Sequence, residues 1–184
     1  MNPGKADLRR VFRLRRLKLP EATRGAMSRD LCERALTLSC FRKAERVGIY
    51  VPMNSEADLT PLLMLAPGKI WCWPRILEGG RMDFASSERS TLSEGKFGIP
   101  VPNGSLPECI PDLILAPCLA VDRFGFRLGQ GGGYYDRYFA AYSVTAWAVA
   151  FPCQVVGKLP REPFDMPVEG ILTPNTFLEA QHEV

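Results

Sequence analysis

Four glycines fall within the five residues from Gly129 to Gly133, and this cluster restricts what the chain can build around it. An apolar, strand-like run precedes it at Leu113 to Ala116, and a helix-compatible run follows at Tyr134 to Tyr142. Strand, glycine-rich turn and helix start form an order in which backbone N–H groups can close around a phosphate. Glycine has no Cβ, so the main chain can take positive φ and approach a ligand closely. Arg127 stands at the front of the turn and offers a planar cationic fork for phosphate oxygens. Asp136 falls one turn into the helix, where its carboxylate could hold a Mg²⁺ that accompanies phosphates. No Gly-Lys-Ser/Thr follows the glycines, and Tyr134 stands where the third spaced glycine of a dinucleotide fingerprint would be. Spacing alone leaves a phosphate cradle and a plain tight turn both open; the flanking Arg and Asp favour the cradle.

The 184 residues suit one domain spanning 1–184, and 46% hydrophobic residues are enough for a full core. No run approaches the roughly 18 apolar residues of a membrane span. The N-terminus is basic and amphipathic rather than signal-like, so a cytoplasmic protein is expected. None of the six cysteines forms a C-x-x-C pair, and the only histidine is His182, near the end. Reduced thiols are expected, and a structural zinc site or a His-activated nucleophile is disfavoured. A net charge of +3 suits an anionic small molecule and argues only weakly for nucleic acid.

Leu8, Val11 and Phe12 predict a helix over about Lys5 to Leu17, on which Lys5, Arg9, Arg13 and Arg16 form a cationic stripe. The stripe is either a solvated face or a basic wall for phosphates or carboxylates. A second helix is expected from a Thr23 cap to about Leu38. Arg46 to Val51 reads as a buried strand. The polar loop Met53 to Asp58 follows it, and Glu56 there could accept hydrogen bonds from heterocycle N–H groups. Thr60-Pro61 starts a short helix. Ile70 to Trp73 reads as a strand closed by Pro74, which leaves Arg75 on the ligand side. Met82 to Ala85 is a short strand. Ser86 to Pro111, with Phe97, Ile99 and Val101, reads as an ordered loop. Leu113 to Ala116 is the central strand, Thr145 to Ala150 another, and Val168 to Leu172 the last, before a tail from Asn175. Short apolar strands alternating with helices predict an α/β fold: a single three-layer domain, its largely parallel central sheet flanked by helices.

The run from Leu113 to Arg137, LILAPCLAVDRFGFRLGQGGGYYDR, closely resembles the signature of the 5-formyltetrahydrofolate cyclo-ligase family, also called 5,10-methenyltetrahydrofolate synthetase. KADLR at Lys5, YVPMNSEADLTPL at Tyr50, WPR at Trp73, GIPVP at Gly98 and the late LPREPFDMPVEGILTP follow in the family's order. The resemblance implies an ATP- and Mg²⁺-dependent ring closure. The formyl oxygen of 5-formyltetrahydrofolate is phosphorylated to an iminium phosphate, and N10 then attacks to give 5,10-methenyltetrahydrofolate, ADP and phosphate. Carried over by position, Lys5, Arg9, Arg127, Leu128, Gly129, Gln130, Gly131, Gly132, Gly133, Tyr134 and Tyr135 contact ATP. Arg127 and Tyr135 serve catalysis, Tyr135 at the junction of the two substrates. Val51 and Glu56 contact the folate, which can carry a polyglutamate tail. Asp136 binds Mg²⁺, and Glu169 joins it. Arg75 helps hold phosphate. Val101 stands where many members carry Glu or Gln, and Phe164 where His is frequent. A monomer without nucleic-acid or membrane partners is expected. Three rivals remain: another nucleotide- or sugar-phosphate enzyme on a similar frame, a nucleic-acid module using Lys5 to Lys18, and an inactive folate-binding relative.

Overall fold

The computed structural model describes residues 4–95 and 98–181; Phe97 and His182 lie outside the described residues. Helices α1 (Lys5–Leu17), α2 (Glu21–Thr37) and α3 (Ser39–Lys43) lead into β1 (Arg46–Gly48). Then follow α4 (Leu62–Leu65), β2 (Ile70–Ile76), β3 (Met82–Ser86), and the short strands β4 (Ser93–Glu94) and β5 (Pro100–Val101). The second half runs β6 (Leu113–Pro117), β7 (Ala120–Asp122), β8 (Arg127–Leu128), α5 (Tyr134–Ala141), β9 (Thr145–Val149) and β10 (Val155–Val156). It closes with β11 (Gly170–Leu172) and β12 (Phe177–Glu179).

Seven strands form one sheet in the order β12-β11-β9-β6-β1-β2-β3, parallel except for the two edge strands. This is the expected α/β architecture, with β6 at its centre. Side chains alternate across a strand, and the two faces show it. Val47, Trp71, Trp73, Leu113, Leu115, Trp147 and Val149 pack with Leu31, Phe41 and Leu62, residues of α2, α3 and α4. Ile114, Ala116, Ala146, Ala148 and Ile171 pack on the other face with Tyr138 of α5. A smaller core joins Phe12 of α1 to Leu119, Ala120, Leu128 and Leu159. Through it α1 lies against the β7–β8 hairpin rather than against the main sheet.

Several boundaries differ from the sequence reading. The α2 helix begins at Glu21 with Pro20 as its cap residue, so Thr23 lies inside it. Thr60 does not cap α4 either; its hydroxyl donates to Asp58 Oδ1 at 2.7 Å. Strand β1 stops at Gly48, while β2 runs on through Pro74, paired opposite Phe84 in the antiparallel ladder with β3. Between the central strand and the glycine turn the chain forms the β7–β8 hairpin. The expected tail contains β12, which pairs antiparallel with β11.

The hairpin is held by one buried carboxylate. Asp122 is fully buried. Its Oδ1 accepts the N–H groups of Phe124 at 3.0 Å and Phe126 at 3.1 Å, and its Oδ2 accepts Leu159 N–H at 3.0 Å and faces Arg161 at 3.5 Å. Replacing Asp122 with Ala leaves three N–H groups without their acceptor and removes the charge opposite Arg161. We expect a loss of about 3 kcal/mol in urea unfolding.

Candidate active site

The glycine turn lies between β8 and α5, and its backbone takes conformations that side chains resist. Gly131 has φ 108° and Gly133, the residue that caps α5, has φ 62°. Both lie in the left-handed region, where a Cβ is strained. The basic stripe of α1 is docked onto this turn. Arg9 Nε donates to Gly129 O at 3.0 Å, and Arg13 Nη2 donates to Gln130 Oε1 at 2.8 Å. Leu128 turns into the small core beside Phe12, so its side chain is packing.

Arg127 is the buried charge beneath the turn, its side chain 2% exposed. Nη2 donates to Asp136 Oδ1 at 3.2 Å and to Met166 O at 3.4 Å. The guanidinium stands 4.8 Å from the Phe139 ring centroid and 5.7 Å from that of Tyr135. Burial lowers the Arg127 pKa, opposed by the Asp136 carboxylate. Its Nε has no hydrogen-bond partner although it is buried. A buried guanidinium N–H without an acceptor carries a desolvation penalty that an anionic ligand relieves.

Glu56 stands on the loop that leaves β1, which turns through Asn54 at φ 50°. Its carboxylate is 8% exposed, accepts Met53 N–H at 3.1 Å, and lies 3.6 Å from Arg16 Nη1. Arg16 is itself buried, donating from Nε to Ser55 Oγ at 3.0 Å and from Nη1 to Cys118 O at 3.3 Å. Burial pushes the Glu56 pKa up, while Arg16, the Met53 N–H and the Gln130 side chain pull it back. Gln130 therefore contacts Arg13 and Glu56 together and joins the glycine turn to this loop. Tyr135 is partly buried in the same neighbourhood, and its hydroxyl pKa is raised by desolvation and then by the Glu56 charge. Val51 is partly buried against the core beneath the loop.

Lys5, at the start of α1, donates to Asp165 Oδ2 at 2.5 Å and to Glu162 Oε2 at 2.7 Å. Burial lowers its pKa, but these bonds outweigh it and the net shift is upward. Asp165 also acts electrostatically on Arg127, and its neighbour Met166 donates its N–H to Asp136 Oδ1 at 3.3 Å. Asp136 and Asp165 thus flank the same cationic centre. Glu169 is placed elsewhere: its Oε2 accepts Ala146 N–H at 2.7 Å, at the entering end of β9. Among the described residues no bond or ion pair joins it to Asp136, and no three His, Cys, Asp or Glu side chains cluster to hold an ion. Arg75 stands at the leaving end of β2, as expected, but its guanidinium is already partnered. It is buried, forms a two-point pair with Asp83 at 2.7 and 3.1 Å, and donates to Asn103 O and Leu106 O. Its role is to clamp the loop after β5. Phe164 is exposed, with Lys5 Nζ 5.7 Å from its ring centroid.

Sequence reasoning brought together Lys5, Arg9, Arg127, Asp136, Tyr135 and Glu56, but it missed Asp165 and the part played by Arg16. The stripe spacing held the signal for Arg16, four residues before Pro20. For Asp165 the signal was its distance from the strand: Glu169 sits at the start of β11, whereas Asp165 remains in the loop.

A model of the 5-formyltetrahydrofolate cyclo-ligase family matches residues 1–174. The chain belongs to this family. The cyclo-ligase of Mycolicibacterium smegmatis is 32% identical, with 98% of this chain and 99% of that protein covered. The cyclo-ligase of Escherichia coli K12 is 28% identical, covering 92% of this chain and all of that one. The solved 5,10-methenyltetrahydrofolate synthetase of Aquifex aeolicus superposes with a TM-score of 0.86 at 30% identity, covering 98% of this chain and 94% of that one. Cyclo-ligases are enzymes, and the cluster around Arg127 and Glu56 is the candidate active site. No helix among the described residues is long and apolar enough to cross a membrane.

Arg16 is the first charge to test. Because Arg16 lowers the Glu56 pKa, Arg16→Met should raise it further. Titration of ¹³C-labelled glutamate carboxyl signals, with Glu56→Gln to assign the resonance, checks this. An unchanged midpoint would mean that Arg16 does not set the charge of Glu56.

Proposed function

We propose that this enzyme closes 5-formyltetrahydrofolate to 5,10-methenyltetrahydrofolate at the expense of ATP, releasing ADP and phosphate. The observation that carries the reading is the buried, unpartnered Nε of Arg127 beneath a glycine turn. An anion with several oxygens satisfies such a donor, and the turn's N–H groups can supply the rest of the grip. Arg9 lies at the same turn and Lys5 at Asp165 beside it, and both bind the nucleotide with Leu128 to Tyr135.

Phosphoryl transfer depends on positioned charge more than on an acid or base side chain, which suits a site whose described residues include no histidine. The formyl oxygen attacks the γ-phosphorus, and ADP leaves. N10 then attacks the activated carbon of the iminium phosphate and gives up its proton to solvent, and the C–O bond to phosphate breaks. Arg127 holds the transferring group's oxygens, Tyr135 separates the reacting centre from water, and Glu56 with Val51 orients the pterin. A charged Glu56 accepts pterin N–H groups, and Arg16 favours that charged form.

The donor set fits Mg²⁺, which takes one or two carboxylates and completes its shell with phosphate oxygens and water. Asp136 would hold it, and Asp165 is better placed than Glu169 to be the second carboxylate. Bound there, the ion would neutralise charge on the phosphates. A cytoplasmic, monomeric enzyme acting on free or polyglutamylated folate is in keeping with six free cysteines.

Near-ultraviolet absorbance of methenyltetrahydrofolate provides the assay. Turnover is expected only with 5-formyltetrahydrofolate, ATP and Mg²⁺ together, and a chelator should abolish it; turnover without ATP overturns the mechanism. Asp136→Ala should lower kcat/KM for Mg·ATP on the order of 100-fold with little change in folate affinity. Glu56→Gln should do the reverse, raising the folate KM about 10-fold and sparing that for ATP.

A further inference from the structure

We propose that Cys72 and Cys109 form a redox-sensitive dithiol that closes to an intramolecular disulfide when Cys109 meets a peroxide. The two sulfurs lie 2.8 Å apart as free thiols. Cys72 is fully buried in β2, on the sheet face that also holds Phe84, Ile114 and Tyr138. Cys109 is partly exposed, and its backbone N–H donates to Phe84 O at 2.7 Å, which fixes it against β3. Among the described residues no other pair of cysteine sulfurs is in contact. Proximity and a fixed backbone are what a disulfide requires and what most pairs of cysteines lack.

Access and charge assign the two sulfurs different roles. Cys109 lines an open groove of about 480 Å³ with Arg46, Ile70, Ser86, Glu108 and Ile110. Cys72 lies behind it. Burial pushes the Cys72 thiol up, with the hydrogen bond to Cys109 adding to the shift. Arg46, paired with Asp112 at 2.5 Å, pulls the Cys72 thiol down, and Asp112 pushes it up. Cys109 is therefore the sulfur that reacts first, and Cys72 the one that resolves.

The chemistry is a two-electron oxidation. The Cys109 thiolate attacks one peroxide oxygen; an S–O bond forms, the O–O bond breaks, and the leaving oxygen is protonated to water. The Cys72 sulfur then attacks the Cys109 sulfenic acid. The S–S bond forms, the S–O bond breaks, and a second water leaves with the Cys72 proton. Two thiols are oxidised as one hydrogen peroxide is reduced to two waters, and a dithiol reductant reverses the bridge by exchange. The bridge would join positions 37 apart in sequence, tying β2 to the segment that enters β6. Arg46 and Ile70 mark the entering ends of β1 and β2, the opposite edge from the loop of Glu56. Oxidation should therefore leave turnover intact while hardening the fold.

The test treats the intact protein with equimolar hydrogen peroxide, removes the oxidant, and maps thiols by alkylation and peptide mass spectrometry. We expect a mass lower by two hydrogens, four alkylatable thiols instead of six, one peptide pair linked through Cys72 and Cys109, and a higher Tm. Dithiothreitol should restore all six thiols and the original Tm. Cys109→Ser, which leaves the buried position untouched, should abolish the bridge, and Cys153→Ser should retain it. Six free thiols after peroxide, a bridge between any other pair or between two molecules, sulfinic acid at Cys109 without a bridge, or a lower Tm would each overturn the proposal.

Discussion

The candidate site depends on keeping one guanidinium out of water. Arg127 has a side chain 2% exposed, and an unpaired charge at that depth would be untenable. Asp136 supplies the opposite charge and Met166 a carbonyl, yet Nε is left over. The arrangement leaves one buried donor free for the proposed phosphate ligand. The flanking rings of Phe139 and Tyr135 strengthen the effect by excluding solvent. A fully satisfied arginine, such as Arg75 with its Asp83 pair and two carbonyls, would have nothing to offer a phosphate.

Helix α1 gives the site its third wall. A cationic stripe on an isolated helix is ordinarily a solvated face. Here Phe12 anchors the helix to the β7–β8 hairpin, and the stripe then falls on the glycine turn and the Glu56 loop. Lys5 ends at Asp165 and Glu162, Arg9 and Arg13 at the turn, and Arg16 at Ser55 and Glu56. Partners more than a hundred positions away in sequence are thereby drawn to a single element. The buried Asp122 that holds the hairpin in place acts on the site at one remove.

Much of this was legible before any coordinates. The helix over Lys5 to Leu17, the central strand at Leu113 and the glycine turn follow from local periodicity and glycine chemistry, which is where sequence patterns are strongest. What failed were positions governed by pairing across distance. Pro74 reads as a strand end, yet the strand runs through it opposite Phe84 of an edge strand. Arg75 reads as a ligand residue because nothing local reveals that Asp83 lies opposite it. Residues 177–179 read as a tail because three residues carry no period, and only the existing edge of β11 makes them a strand. Glu169 and Asp165 are four residues apart and chemically alike. Only the register of β11 distinguishes the carboxylate bonded to Ala146 N–H from the one facing Lys5.

At Glu56 the proposed function and stability oppose each other. Burial raises its folded pKa above the unfolded value, so the folded state binds the proton more tightly than the unfolded chain does. The contribution of this group to stability is therefore present below the unfolded pKa, and it is lost as pH rises through the folded one. Ionising this carboxylate in the fold carries a desolvation cost, and Arg16 offsets only part of it. A glutamine of the same shape would avoid the desolvation of a charge, but its amide would present one acceptor oxygen where the carboxylate presents two. For the proposed pterin contact, a heterocycle with adjacent N–H donors would reward the second oxygen, and the buried Arg16 behind the carboxylate favours its charged form.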